Sequence, residues 1–312
     1  MPFPYSDDNK RYHTVNYYLK HRFGKKVAKL PLNGGFTCPN RDGTCGFGGC
    51  TYCSGSASGD FAGDPALSVT AQLSQMKKIY EQKWPDSLFI PYFQAGSGTY
   101  APVPRLRTLY EEALSFPDVV GLSVATRPDC LPDEVLDLLE EFSRHTFLTV
   151  ELGLQTVHDQ TAAAVHRGHD LSCFVEGCRK LSRRNIPFCV HIINGLPGET
   201  EEMMLETARF VGRLRPFAVK IHLLHLLRGT AMGEEYLKNP FPLMEKEQYV
   251  SLVCEQLRVL PPETVVERVT GDGDRKALIG PVWSLRKREV LNAIDQKMAQ
   301  LDAQQGDRFS QS

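Results

Sequence analysis

The run CPNRDGTCGFGGCTYC, residues 38–53, follows a short apolar stretch and holds four of the nine cysteines of the chain. Eleven residues separate Cys38 from Cys50, and two separate Cys50 from Cys53. A Cys-x-x-Cys pair on a tight turn can reach one iron–sulfur cluster or one zinc ion. Glycines between the cysteines let the backbone wrap closely around a bulky inorganic group. The pattern therefore predicts a metal centre at Cys38, Cys50 and Cys53.

Two kinds of centre fit these cysteines. Three thiolates can hold a four-iron cluster and leave one iron open for chemistry. A structural zinc site needs four ligands, and Cys45 could supply the fourth. The second interpretation describes a zinc-stabilised binding module without catalysis. The cysteines alone leave both open.

Composition bounds the class of protein. A chain of 312 residues with 42% hydrophobic and 23% charged residues can bury a large core as one large or two small domains. The formal net charge of −1 gives no global basic field that would indicate a nucleic-acid binder. Cysteine-rich composition without a secretory leader predicts a reducing cytoplasmic location, and no apolar run approaches the roughly 20 residues of a membrane span.

Short apolar runs alternate with longer amphipathic ones, which is typical of βα units around a parallel sheet. The predicted strands are 27–32, 88–94, 119–125, 147–153, 188–194 and 218–224. The predicted helices are 69–82, 104–115, 132–143, 159–165, 171–184 and 199–213. We therefore expect an α/β fold, a partial (β/α)6 TIM-like barrel with a C-terminal extension that caps it. The expected divisions are an N-terminal extension (1–26), the core barrel (27–230), an extension covering the barrel mouth (231–303) and a disordered tail (304–312).

Polar and glycine-rich residues follow five of the six predicted strands. The cysteines come after the first strand, and comparable runs follow the next four: residues 94–100, 126–129, 151–155 and 194–199. Each run by itself is explained by the geometry of a βα turn. Because the carboxyl ends of parallel strands meet at one edge of a sheet, five runs in succession predict an active site there.

The chain contains an ordered set of motifs: CPNRDGTCGFGGCTYC, YFQAGSGTYAP, TRPDCLP, VELGLQTVHD, HRGHD, HIINGLPGET, KIHLLHLLRGT and TGDGDRKALIGPVWSLRKREVLNAID. In these motifs the chain resembles radical S-adenosylmethionine (radical SAM) enzymes. Within that superfamily it is similar to the catalytic subunit of Elongator and to oxygen-independent coproporphyrinogen oxidases. More narrowly, it resembles stand-alone bacterial proteins related to the Elongator radical SAM domain.

The resemblance implies a [4Fe-4S] cluster on Cys38, Cys50 and Cys53, with S-adenosyl-L-methionine chelating the open iron. Reductive cleavage of that cofactor would supply a 5′-deoxyadenosyl radical that abstracts hydrogen from a substrate. It also implies an electron donor such as flavodoxin or ferredoxin. No membrane partner is expected.

Further cofactor contacts are implied only by matching positions in the family. Tyr52 would pack near the adenine, and the turn containing Gln94, Gly96 and Ser97 would lie against the methionine amino group. Gln155 would contact the cofactor, and Arg167 would pair with its carboxylate through a guanidinium fork.

His191 matches a cofactor-facing polar position on the fifth strand. The alternative interpretations are a solvated helix-end charge for Arg167, a turn residue for Gln155 and a core histidine for His191. Relatives of the Elongator type carry an acid where this chain has Ala125, and we expect Glu151 to cover part of that role.

The substrate must be sought outside the cofactor motifs. Elongator-type proteins act on the wobble uridine of transfer RNA, so a radical modification of a wobble-uridine side chain is the sharpest hypothesis. Basic and aromatic residues in 10–29, 179–184 and 283–288 could contact phosphates and bases. Arg268, Asp272 and Trp283 are the substrate-side candidates. A small molecule or a porphyrin-like compound is the alternative substrate.

Overall fold

The computed structural model describes residues 3–55, 59–271 and 273–310. Its contacts divide the chain into two compact units. One comprises residues 19–153 and 167–189, and the other comprises residues 1–18, 154–166 and 190–312. No helix among the described residues is long and apolar enough to cross a membrane.

The elements alternate between strands and helices over most of the chain. In order they are α1 (Val15–Phe23), β1 (Val27–Leu32), α2 (Val69–Lys83), β2 (Leu88–Phe93), α3 (Val103–Leu114), β3 (Gly121–Thr126), α4 (Asp133–His145), β4 (Phe147–Gln155), α5 (Asp159–Ala164), α6 (Leu171–Arg183), β5 (Phe188–Asn194), α7 (Glu201–Leu214), β6 (Ala218–Leu223), β7 (Leu226–Leu227), α8 (Ala231–Lys238), α9 (Lys246–Val259), β8 (Val265–Arg268), β9 (Leu278–Gly280) and α10 (Lys287–Gln300). Short 3-10 helices cover Pro128–Cys130 and Val282–Leu285.

One sheet contains seven strands in the order β1-β2-β3-β4-β5-β6-β8. The pairs β1–β2, β2–β3, β3–β4 and β6–β8 are parallel. All six predicted strands are found within two residues of their expected bounds. This topology confirms the expected α/β fold class, a partial TIM-like barrel. The seventh strand, β8, was not predicted, because four residues are too few to show a periodic pattern.

The core of the first unit explains why these segments form strands and helices. Strand residues such as Leu30, Ile90 and Leu122 are fully buried, as is Tyr110 on α3. Strands buried on both faces are expected to be nearly continuously apolar, as the run of β2 is. The helices supply one apolar face each, so the sheet is covered by the side chains that the sequence pattern places there.

Polar side chains define where several helices begin. Ser68 accepts a hydrogen bond from the amide of Ala71 at the start of α2, and Asp170 accepts one from Cys173 at the start of α6. Such N-cap side chains each stabilise a helix by about 1 kcal/mol.

The C-terminal segment corrects one expectation. The tail 304–312 was expected to be disordered, but the described part is packed against its own unit. Gln305 is 1% exposed, and its amide donates to the carbonyls of Pro261 (2.6 Å) and Thr264 (2.8 Å). Its Oε1 accepts from the amide of His13 at 2.8 Å. The polar composition of the tail predicted disorder, but its glutamine supplies hydrogen bonds that buried backbone groups require.

Candidate functional site

The cysteine loop, residues 33–55, connects β1 to the segment that precedes α2 and is folded by its own backbone. The carbonyl of Cys38 accepts hydrogen bonds from the amides of Arg41 (2.8 Å) and Asp42 (3.2 Å). The carbonyl of Cys50 accepts from the amide of Cys53 at 3.0 Å, which closes the Cys-x-x-Cys turn. The loop thus holds its cysteines on two tight turns.

The three predicted cluster ligands carry thiol groups that are not joined in disulfides. Cys50 is buried, and Cys38 and Cys53 are half-buried. A hydrogen bond from Cys53 and the positive charge of Arg167 lower the pKa of Cys50 to about 4, against the opposite effect of burial. A thiolate is the form that binds metals. Cys45 differs from the other three. As a residue it is exposed, but its sulfur is partly shielded from water, and this desolvation raises its pKa.

Asn40 is a residue of this site that the motif contained but the sequence analysis did not single out. It is 3% exposed, and its Nδ2 donates toward Cys50 Sγ at 3.7 Å. A Cβ added to Gly46 or to Gly168 would lie 2.3 Å or 2.5 Å from Asn40 Oδ1. Glycine at both positions therefore lets Asn40 pack between the cysteine loop and the segment that begins at Arg167.

The turn after β2 lies against the base of the cysteine loop. The amide of Ser97 donates to the carbonyl of Thr37 at 2.9 Å. Gly96 has a φ of +72°, and a Cβ there would lie 2.4 Å from the carbonyl oxygen of Phe36. The amide of Gln94 donates to Leu32 at 3.1 Å. The structure therefore brings the predicted turn next to the predicted cluster ligands, and only glycine permits this approach.

Arg167 enters the same region from the segment before α6. Its residue exposure is 6%, its Nη2 donates to the carbonyl of Gly153 at 2.6 Å, and its Nη1 lies 3.8 Å from Cys50 Sγ. Its Nε is buried, and no acceptor among the described residues forms a hydrogen bond with it. The description of Arg167 as a solvated surface charge is therefore wrong, and the buried guanidinium retains an unused donor.

Glu151 on β4 is held inside the sheet rather than left open. Its Oε1 accepts from Lys29 Nζ at 2.8 Å and from Ser123 Oγ at 2.7 Å, and its side chain is 0% exposed. Glu151 pairs in register with Ala125 of β3, the position where relatives carry an acid. The sequence analysis counted Lys29 among the possible phosphate contacts of residues 10–29, and no local pattern indicated its pairing with Glu151.

Two predicted cofactor contacts belong to the other unit. Gln155 ends β4 with a φ of +74°, and its buried Oε1 accepts no hydrogen bond from the part of the chain that the structure describes. Positive φ at a non-glycine residue costs about 1–3 kcal/mol and clusters at functional sites. His191 on β5 lies beside His222 on β6, with ring centroids 5.2 Å apart. Both predictions stay open, and the unpaired oxygen of Gln155 favours a ligand.

The substrate-side candidates are placed differently from one another. Arg268 ends β8 and is half-buried. Trp283 packs on Tyr249 with ring centroids 5.6 Å apart and donates from Nε1 to the carbonyl of Met244 at 2.9 Å. Asp272 lies outside the described residues. Trp283 is thus anchored at its polar end and is half-buried as a residue.

Across residues 3–55, 59–271 and 273–310, no three His, Cys, Asp or Glu side chains gather around a point where one metal ion could sit. The structural zinc site that the cysteines left open as an alternative needs four ligands at about 2.0–2.3 Å from a single ion.

Comparison with known proteins decides the family. The model of the radical SAM superfamily matches residues 40–211, and the model of the radical SAM C-terminal domain matches residues 216–300. The chain belongs to the radical SAM superfamily. It is therefore an enzyme of the class that uses a [4Fe-4S] cluster and S-adenosylmethionine.

Three relatives give the range of similarity. The chain is 52% identical over 308 residues to the uncharacterised Bacillus subtilis protein YtqA, covering 99% of this radical SAM chain and 96% of that protein. It is 24% identical over 237 residues to mouse Elongator complex protein 3, covering 67% of this chain but only 41% of that protein. The solved structure of Elp3 from the archaeon Methanocaldococcus infernus shares the fold with a TM-score of 0.65 at 15% identity, covering 89% of this chain and 64% of that one.

The residues present fit the two cofactors of the superfamily. Cys38, Cys50 and Cys53 offer thiols in one loop, and Arg167 offers an unpartnered buried donor beside Cys50. Gly153 and Cys50 satisfy part of this buried guanidinium, and its unused Nε favours one further acceptor, which an anionic ligand would provide. The carboxylate of S-adenosylmethionine has the matching charge and geometry.

Proposed function

We propose that this radical SAM enzyme modifies the side chain of a wobble uridine in transfer RNA. The proposal is carried by the ordered motifs that resemble the Elongator-type radical SAM domain, together with the 24% identity to mouse Elongator complex protein 3 over 67% of this chain. These motifs include residues 38–53 of the cysteine loop and the turns after β2, β4 and β5. A cytoplasmic location and an electron donor such as flavodoxin or ferredoxin complete the proposal.

The bound cofactors supply the reactive carbon radical, and the protein residues bind and shield it. Cys38, Cys50 and Cys53 hold the cluster, and Arg167 binds the carboxylate of S-adenosylmethionine. Tyr52, Gln94, Gly96, Ser97, Glu151, Gln155 and His191 complete the proposed cofactor site. Gly96 allows the β2 turn to approach the cysteine loop closely, because a Cβ at this position would overlap the carbonyl oxygen of Phe36.

The substrate side of the proposal rests on Arg268, Asp272, Trp283 and on exposed basic residues. Of the predicted N-terminal RNA surface, Tyr12 is 4% exposed and is therefore not available for stacking. Lys20, Arg22 and Lys25 are exposed at the end of α1 and could contact phosphates. Arg184 is less suited, because Asp137 accepts its hydrogen bond at 2.7 Å.

Two assays test the cofactor and the substrate separately. The protein is reconstituted anaerobically with iron and sulfide, reduced with dithionite and given S-adenosylmethionine, and 5′-deoxyadenosine is measured by chromatography. Cys50→Ala should abolish the product. Cys45→Ala, a matched thiol deletion in the same loop, should retain cluster and product because Cys45 is exposed and is not a proposed ligand.

The substrate assay adds total transfer RNA from cells lacking this gene. The digested nucleosides are then analysed by mass spectrometry. We expect the mass of a wobble uridine derivative to change only with the intact enzyme. Formation of 5′-deoxyadenosine with every transfer RNA nucleoside unchanged would refute the RNA substrate and favour a small molecule.

A further inference from the structure

Arg127 is a buried arginine of the TRPDCLP motif for which the radical SAM chemistry described above has no use. It follows β3, and its side chain is 4% exposed. Its guanidinium donates to both carboxylate oxygens of Asp129, from Nε at 2.8 Å and from Nη2 at 2.6 Å. The bidentate pair compensates the buried charge and orients the planar guanidinium.

The remaining donors of Arg127 reach two other segments of the same unit. Nη1 donates to the carbonyl of Arg167 at 2.9 Å, and Nη2 donates to the carbonyl of Gly168 at 3.2 Å. Nη2 also lies 3.5 Å from the sulfur of Cys45 in the cysteine loop. One side chain thus joins the end of β3, the segment that carries Arg167 and the cysteine loop.

These contacts hold the backbone carbonyls of Arg167 and Gly168, and Asn40 packs closely against Gly168. Gly168 has a φ of +76°, and a Cβ there would lie 2.5 Å from Asn40 Oδ1. With its backbone clamped in this way, Arg167 can direct its guanidinium toward the carbonyl of Gly153 and toward Cys50.

We propose that Arg127 is a positioning residue for S-adenosylmethionine, which acts by fixing the backbone that presents Arg167 to the cofactor carboxylate. This inference rests on the proposed role of Arg167. Asp129 also contributes, because the guanidinium groups of Arg127 and Arg167 are close enough to repel each other. The carboxylate of Asp129 offsets that repulsion, and the hydrogen bonds from Arg127 lower its pKa despite the burial that opposes this.

A lysine at position 127 tests the proposal, since it keeps the charge but cannot span the same acceptors. Arg127→Lys should retain its iron and sulfide content and its thermal midpoint, and should bind S-adenosylmethionine about 10–100-fold more weakly, as for other residues that orient a ligand-binding group. Binding is measured by calorimetry, and by the change in the electron paramagnetic resonance spectrum of the reduced cluster when S-adenosylmethionine is added. Asp129→Asn should shift both readouts in the same direction.

Arg107→Lys is the matched control. Arg107 makes the same bidentate contact, to Glu141 at 2.6 Å and 2.6 Å, on the exposed surface between α3 and α4. It should bind S-adenosylmethionine as the wild type does. Equal binding by Arg127→Lys and Arg107→Lys overturns the proposal, and so does loss of iron from Arg127→Lys, since that would assign Arg127 to the cysteine loop instead.

A double variant separates positioning from general structural support. If Arg127 acts through Arg167, the variant Arg127→Lys/Arg167→Lys should bind S-adenosylmethionine no more weakly than Arg167→Lys alone. Additive losses overturn the proposal. Wild-type binding by Arg167→Lys itself would overturn the assignment of Arg167, and with it this inference. None of these measurements needs transfer RNA, so they are independent of the proposed substrate.

Discussion

Removal of Lys29 should destabilise the protein strongly, because it takes away the cation that pairs with a buried carboxylate. Glu151 is 0% exposed and accepts from Lys29 at 2.8 Å and from Ser123 at 2.7 Å. Lys29→Met removes the positive charge of this ion pair and leaves the buried carboxylate in place. Breaking a buried ion pair from one side costs about 3–5 kcal/mol, and we expect this range for Lys29→Met.

Substitution of the partner residue, Glu151, should reduce the free energy of unfolding by less. Glu151→Gln keeps a hydrogen-bonding side chain and leaves Lys29, whose side chain is 17% exposed and can reach water. Its expected cost is about 1–3 kcal/mol. The double variant Lys29→Met/Glu151→Leu removes both charges and should recover much of the stability lost in Lys29→Met.

Urea titration followed by circular dichroism measures these differences in free energy of unfolding. The control is Lys77→Met, which removes an equally close ion pair, to Asp118 at 2.6 Å, from a surface where the side chains are 22% and 51% exposed. It should cost no more than about 1 kcal/mol. If Lys29→Met stays within about 1 kcal/mol of Lys77→Met, the inferred burial of the Glu151 charge is incorrect.

Two further substitutions test the site and the C-terminal segment. Gly96→Ala should reduce the iron bound after reconstitution, because its Cβ would overlap the carbonyl oxygen of Phe36. Gly24→Ala is the control, since Gly24 has the same φ of +72° but a Cβ there would meet no described atom within 4 Å. The control should cost only backbone strain of about 1–2 kcal/mol. Equal iron content in both variants would contradict the close approach. Gln305→Ala should lower the free energy of unfolding by about 1–3 kcal/mol, because it removes the acceptor of the buried His13 amide. It should also speed proteolysis of the C-terminus. Unchanged proteolysis would argue against a packed C-terminal segment.

The sequence alone was sufficient for the main elements of the fold. Apolar runs and amphipathic spacing are local properties, so all six long strands and the helices between them could be placed from the letters. The spacing of Cys38, Cys50 and Cys53 likewise predicted a metal loop. The short strand β8 and the packed segment around Gln305 were missed, because their structure comes from partners distant in the chain.

The connections within the candidate site were decided by tertiary structure. Lys29 and Glu151 are 122 residues apart in sequence, and Arg127 and Arg167 are 40 apart. No local pattern shows that one buried charge lies beside another. Residue types and spacing determined which side chains could bind a cluster and a cofactor. Folding determined which of them are buried together, and burial makes a hydrogen bond or an unpartnered donor energetically important.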